Sequence, residues 1–201
     1  MSRLRIAQLA NFVGPTSGGL RRAVDQLGRG YEAAGCARLL IVPGPRDAVI
    51  EDDGGGVIVT IESPAVPGGY RLITAPRKVC GLLDRFRPTS VEVSDKWTLT
   101  VAAAWARRHG AGSVLFSHER LDAMASLYLR RDLVWPVHLL NGGLARLYDR
   151  VVVTTDYSAG EWAGTAAQPV LAPLGVDLDV FTPAAAPPAP DPVLRLVYAG
   201  R

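Results

Sequence analysis

The chain has 201 residues, 48% of them hydrophobic, which is long enough for one α/β domain with a sizeable core and short for two. Its formal net charge of +3 rests almost wholly on arginines scattered along the chain, so no basic block points to nucleic acid. Cys36 and Cys80 stand far apart, with no CxxC and no histidine at ligand spacing, which sets up neither a disulfide framework nor a metal site and fits a reducing, cytoplasmic location.

The first apolar run, 5–10, reads as a strand. Arg3 and Arg5 imitate the start of a secretion signal, but Gln8 and Asn11 break the run and no cleavage-type site follows. No run anywhere reaches the length of a membrane span. Then comes "NFVGPTSGGLRRAV", in which Leu20, Val24 and, just beyond, Leu27 recur at helical spacing and predict a helix over 19–34. Gly18 and Gly19 therefore sit at a strand-to-helix turn. Thr16 or Ser17 is placed to cap the helix, and its first N–H groups, which nothing inside a helix can satisfy, suit an anion. The spacing is neither a G-x-G-x-x-G fingerprint nor a P-loop, and a tight turn chosen for backbone geometry alone stays open as the plainer reading.

Further strands are expected at 38–42 and 57–61, followed by the Gly/Pro-rich loop "SPAVPGGYRLI" carrying Tyr70 and Arg71. A helix follows over 76–86. Val79, Leu82, Leu83 and Phe86 share one face of it, and Arg77, Lys78, Arg85 and Arg87 lie along its flanks, suited to water or to an anionic surface. After a strand at 90–93, "VEVSDKWTL" sets Ser94, Asp95 and Lys96 beyond its end, where Asp95 also reads as a cap for the helix over 98–108. The strand at 113–116 runs out at His118, ahead of helices over 120–129 and 134–147. Glu119, Arg120 and Asp122 read as first-turn charge, and His109 and His138 as structural. A strand at 150–154, a helix over 158–163 and a strand at 169–172 complete the series. Ser158 and Glu161 fit a capping box there and are assigned structure only.

This alternation argues for a parallel sheet with helices on both faces, whose ligands bind beyond the carboxyl ends of the strands. His118, Asp95 and the glycine turn all fall on that rim. "TPAAAPPAPDP", 182–192, can hold neither helix nor inner strand and reads as a linker. The run "VLRLVYAGR" after it either returns to the sheet edge or opens a second domain. The second reading divides the chain into a domain over 1–181, a linker over 182–192 and the first strand of a truncated domain over 193–201.

The segments "IAQLANFVGPTSGGLRRAV", "SHERLD", "VVVTTDYSAGEWA", "PLGVDLDVFTP" and "VYAGR" stand in the order found in retaining glycosyltransferases of the GT-B fold, family 4, and the chain resembles that family over nearly its whole length. Through "EVSD", "SHERLD" and "GGYR" it is most similar to bacterial GDP-mannose-dependent α-mannosyltransferases that act on lipid or glycolipid acceptors. The resemblance implies the Rossmann-like, acceptor-side N-terminal half of such an enzyme. It implies donor-diphosphate binding by Gly18, Gly19 and Arg201, a catalytic His118 beside the donor sugar, and acceptor binding by Tyr70, Arg71 and Asp95. It further implies a nucleotide-sugar donor, GDP-mannose, with mannosyl transfer, no metal or other cofactor, and contact with the inner face of the cell membrane. A UDP-sugar donor on the same fold, and a non-catalytic α/β module binding an anionic ligand or partner, remain as alternatives.

Overall fold

The structure is a computed structural model that describes residues 3–13, 18–51, 56–118, 120–123, 133–178, 180–182, 196 and 198. The described residues form ten strands: β1 (Arg5–Leu9), β2 (Ala37–Gly44), β3 (Ala48–Glu51), β4 (Val57–Glu62), β5 (Ala65–Val66), β6 (Tyr70–Arg71), β7 (Ser90–Val93), β8 (Gly112–Ser117), β9 (Arg150–Val153) and β10 (Val170–Leu171). The helices are α1 (Gly19–Ala33), α2 (Pro76–Phe86), α3 (Val101–His109), α4 (Val134–Leu147) and the single turn α5 (Asp156–Ala159). Eight strands form one sheet in the order β10-β9-β8-β7-β1-β2-β4-β3. All of its pairs are parallel except β3 with β4.

The seven strands read from the sequence are all present, each an apolar run bounded by turn residues; the central ones are buried, whereas the edge strand β10 is exposed at Val170 and Leu171. β3 is an addition. "AVIEDDGGGVIVTI" is two apolar runs around an Asp/Gly turn, a hairpin signal, and Ala48 to Glu51 pair antiparallel with Thr60 to Val57. The Tyr70–Arg71 loop is also a hairpin, with Gly68 and Gly69 at φ of 85° and 77°, a region that glycine enters at little cost. The helix expected over 98–108 is a 3-10 turn at Thr98–Thr100 that runs into α3. That expected over 120–129 is described only at 121–123, and that over 158–163 is replaced by α5 and a 3-10 turn at Gly160–Trp162. Thr16, Ser17, Glu119 and Arg201 lie outside the described residues, as do the linker and terminal strand apart from Thr182, Leu196 and Tyr198.

The two faces of the sheet are built differently. On one, Leu9, Ile41, Val91, Val93, Leu115 and Val153 meet α2, α3 and α4 in a continuous apolar core with Leu83, Trp105, Leu144 and Trp162. On the other, α1 adds Val24 to a small cluster with Ala10, Leu40 and Val42. Beside that cluster lies a buried polar set. Arg38 Nε donates to Gln8 Oε1 at 2.8 Å, Gln8 Nε2 to Glu92 Oε1 at 2.9 Å, and Tyr31 of α1 donates its hydroxyl to Glu92. Burial and the neighbouring carboxylate push the Tyr31 phenol upward, so it stays a donor. Gly28 is small for this reason. A Cβ there would stand 1.9 Å from Cζ of Arg38, a side chain only 4% exposed and tied to Val24 O and Gln8.

Candidate active site

β1 leads through α1 toward β2 on one side, while β7 lies on its other side. The strand order therefore reverses between β1 and β7, and the crevice beyond their carboxyl ends is where open α/β sheets bind ligands. A cleft of about 30 Å³ is found there, lined among others by Phe12 after β1, Asp95 and Trp97 after β7, and Phe116, His118 and Leu121 at and after the end of β8.

His118 is half-buried, its ring stacked on Phe116 with centroids 5.9 Å apart and its Nδ1 3.4 Å from Phe116 O. Asp95 is 4% exposed. Its Oδ2 accepts from Leu99 N at 2.8 Å, so the capping role read from sequence is real, while its Oδ1 is buried with no partner among the described residues. Burial pushes the carboxyl above the usual carboxylate range, against the opposing pull of the Leu99 N–H. A carboxylate with one oxygen spent on the backbone and one unspent in a cleft is suited to a ligand hydroxyl.

Phe12 was not singled out by sequence. Its φ of 60° is left-handed, which costs a non-glycine residue about 1–2 kcal/mol. The turn is fixed by Asn11, whose Oδ1 accepts from Ile73 N at 2.9 Å and whose Nδ2 donates to Thr98 Oγ1 at 3.0 Å. The Phe12 ring meets that of Tyr70 edge-on, with centroids 6.0 Å apart. Tyr70 thus reaches the cleft through Phe12. Arg71 faces the base of its own hairpin, donating from Nη1 to Ser63 O at 2.6 Å.

Gly18 and Gly19 lie apart from this cleft. Gly18 lines a groove of about 570 Å³ along the exposed side of α1 with Arg21, Arg22, Asp25, Gln26, Arg29 and Asp177, and Arg21 is paired with Asp25 at 3.8 Å. Among the described residues no side chain caps the start of α1, its first turn holds no acid, and Arg21 and Arg22 add positive charge where the helix dipole is already positive. That sign is wrong for helix stability and right for an anion. A Cβ on Gly19 would meet nothing within 4 Å, so neither packing nor a positive φ demands glycine there.

Lys96, itself part of the cleft lining, is buried and ion-paired with the buried Glu161. Glu161 is not the end of a capping box. The helix cap is Thr155, whose Oγ1 accepts from Ser158 N at 3.1 Å, one turn earlier than the sequence reading placed it. The other two histidines lie away from the cleft: His109 Nδ1 is 2.8 Å from Trp105 O with its ring stacked on that tryptophan, and His138 is exposed on α4.

Residues 18–170 match the family described as the glycosyl transferase 4-like domain. A GDP-mannose-dependent alpha-(1-6)-phosphatidylinositol dimannoside mannosyltransferase of Mycobacterium tuberculosis is 43% identical over 184 residues, covering 90% of this chain and 48% of the relative. The chain thus spans about half the length of the curated relatives it matches. Among solved structures, sucrose-phosphate synthase from Thermosynechococcus elongatus superposes with a TM-score of 0.68 at 19% identity, covering 91% of this chain and 51% of that one. The Anabaena protein HepE in complex with UDP does so with 0.60 at 12% identity, covering 88% and 46%. These likenesses agree with the mostly parallel sheet in showing the Rossmann-like fold of GT-B glycosyltransferases. The chain belongs to the glycosyl transferase 4-like domain family.

Proposed function

We infer that this chain is the acceptor-side portion of a retaining glycosyltransferase that moves mannose from GDP-mannose to a glycolipid or related acceptor. The observation that carries the reading is the 43% identity, over nine-tenths of the chain, to an enzyme named for that donor and for a phosphatidylinositol mannoside acceptor. Residues 1–181 form the acceptor-side domain, 182–192 the linker, and 193–201 begin the donor-binding domain. The donor diphosphate is received by the start of α1 at Gly18 and Gly19, with Arg201 from the far side of the linker. His118 orients the transferred sugar. Asp95 receives the acceptor hydroxyl on Oδ1, with Tyr70 and Arg71 on the acceptor side. In the transfer, the bond from the anomeric carbon to the diphosphate oxygen breaks, the acceptor oxygen bonds to the same face of that carbon, and the departing phosphate takes the acceptor's proton. Positive side chains and helix N–H groups stabilise that diphosphate without a metal.

The protein expressed from its complete reading frame, offered a panel of GDP- and UDP-sugars, is expected to turn over GDP-mannose. Preference for a UDP-sugar would reassign the donor, and binding without turnover of any donor would favour a non-catalytic module. Gly19→Val is expected to abolish most turnover while the thermal transition stays in place, because its side chain projects at the helix N-terminus where the diphosphate is received and its Cβ meets none of the described residues within 4 Å. Full activity in that variant would reduce the glycine pair to a turn.

The acceptor class brings the protein to the inner face of the membrane. Among the described residues no helix is long and apolar enough to cross it. Contact is peripheral, through α2. Val79 and Leu83 are buried, whereas Arg77, Lys78 and Arg85 line a groove of about 560 Å³ against the β3–β4 hairpin, beside the exposed Val49. Lys78 is engaged by Asp47, so Arg77 and Arg85 are the charges to remove. Each contributes about 1 kcal/mol near an anionic surface. Sedimentation with anionic but not neutral vesicles is expected, weakened by salt and by Arg77→Ser with Arg85→Ser. Equal binding to both vesicle types would leave α2 an ordinary solvated face.

A further inference from the structure

We propose that Glu161, with Lys96 as its fixed counter-charge, is the positioning residue for the turn that carries His118; this rests on the reading of His118 as the group beside the transferred sugar. Glu161 stands in the 3-10 turn after β9, Lys96 follows β7, and His118 follows β8, the strand between them. The two carboxylate oxygens divide their work. Oε1 accepts from the backbone N–H of Leu121 at 2.6 Å and of Asp122 at 3.3 Å, while Oε2 holds the Lys96 ammonium.

The neighbouring residue completes the grip. Trp162 Nε1 donates to Ser117 Oγ at 3.2 Å, and its ring lies under the Lys96 ammonium, 5.0 Å from the centroid. His118 is thus bracketed, with Ser117 held on one side by Trp162 and Leu121 and Asp122 held on the other by Glu161. Asn141 secures the clamp itself, its Nδ2 donating to Glu161 O at 3.3 Å. A buried ion pair adds little stability over an apolar pair of the same volume, but its bonds have direction. Here that direction fixes the ends of three adjacent strands, and so the separation of Asp95 from His118 across the cleft. A displacement of about 1 Å in such a constellation is enough to cost a hundredfold in rate.

The test uses the protein expressed from its complete reading frame. Glu161→Gln keeps an acceptor oxygen and removes the charge, and Lys96→Met with Glu161→Gln removes both charges and so avoids stranding either one. Both are expected to lower kcat on the order of tenfold to a hundredfold with little change in donor KM. In a His118→Ala background the same substitutions are expected to cost clearly less than in the parent, because much of their effect passes through that ring. Full additivity across this cycle would overturn the proposal. Independently of activity, the Cε1–H resonance of His118, one of three histidines, is expected to shift in the double variant while those of His109 and His138 stay. An unmoved resonance also overturns it. If the parent transfers no sugar, the functional reading fails, and the resonance alone still decides whether Glu161 sets the turn.

Discussion

His118→Ala, in the protein expressed from its complete reading frame, is expected to lower turnover on the order of 10²-fold or more while leaving the fold nearly as stable as the parent. The expectation follows from where the ring stands, at the end of β8 on the rim of the cleft. It is half-buried, its Nδ1 stands 3.4 Å from the Phe116 carbonyl, a long contact, and its stacking on Phe116 is loose at 5.9 Å. The turn on either side of it is held by Trp162 and Glu161. What the ring does have is position, on the rim of the switch-point crevice and in one cleft with the Oδ1 of Asp95. Steady-state turnover and urea denaturation measured side by side check this. Unchanged turnover with a large loss of stability would make His118 a packing residue.

Lys96→Met is expected to have the largest effect on stability, about 3–5 kcal/mol, because it leaves the Glu161 carboxylate buried without its counter-charge. The two N–H groups of Leu121 and Asp122 still face one of its oxygens and soften the loss. Adding Glu161→Gln is expected to return much of the stability, since the stranded charge is then gone. Urea midpoints of the parent, the single and the double variant check the sign of this coupling. A single variant within about 1 kcal/mol of the parent would mean that water already reaches the pair.

The parallel sheet was legible because strands buried on both faces must be apolar throughout, and runs such as "LLIV" and "VVV" have no other reading between turns and helices. β3 could have been read from "DDGGG", which separates two apolar runs as a hairpin turn does. The rim positions of His118 and Asp95 followed from strand ends alone. Glu161 was misread because "SAGE" satisfies a local spacing rule, whereas its partner Lys96 is 65 residues away and declares itself only once β7, β8 and β9 lie side by side. Phe12 was invisible for a related reason. Its left-handed backbone is imposed by Asn11 bonds to Ile73 and Thr98, contacts that span 62 and 87 residues. The family resemblance supplied roles for Tyr70 and Arg71 that spacing did not, and identified as a donor diphosphate the anion that spacing had already placed at Gly18 and Gly19. The structure sets Tyr70 beside the cleft through Phe12, turns Arg71 toward Ser63, and puts Gly18 in a separate, arginine-lined groove.

The polar set beneath α1 has a consequence for how this domain can diverge. Gln8, Arg38, Glu92 and Tyr31 come from three strands and a helix, and each satisfies a hydrogen bond that another would leave buried and unmet. Gly28 is the hollow that admits the guanidinium. A single replacement anywhere in this group strands a neighbour, so drift at one of these positions is blocked until others have changed. The five are therefore expected to be inherited as a block. A relative with a side chain at the position of Gly28 should carry a shorter residue in place of Arg38, and with it a different answer at Gln8 and Glu92. In such a lineage the seat of α1 would be rebuilt in one step or not at all.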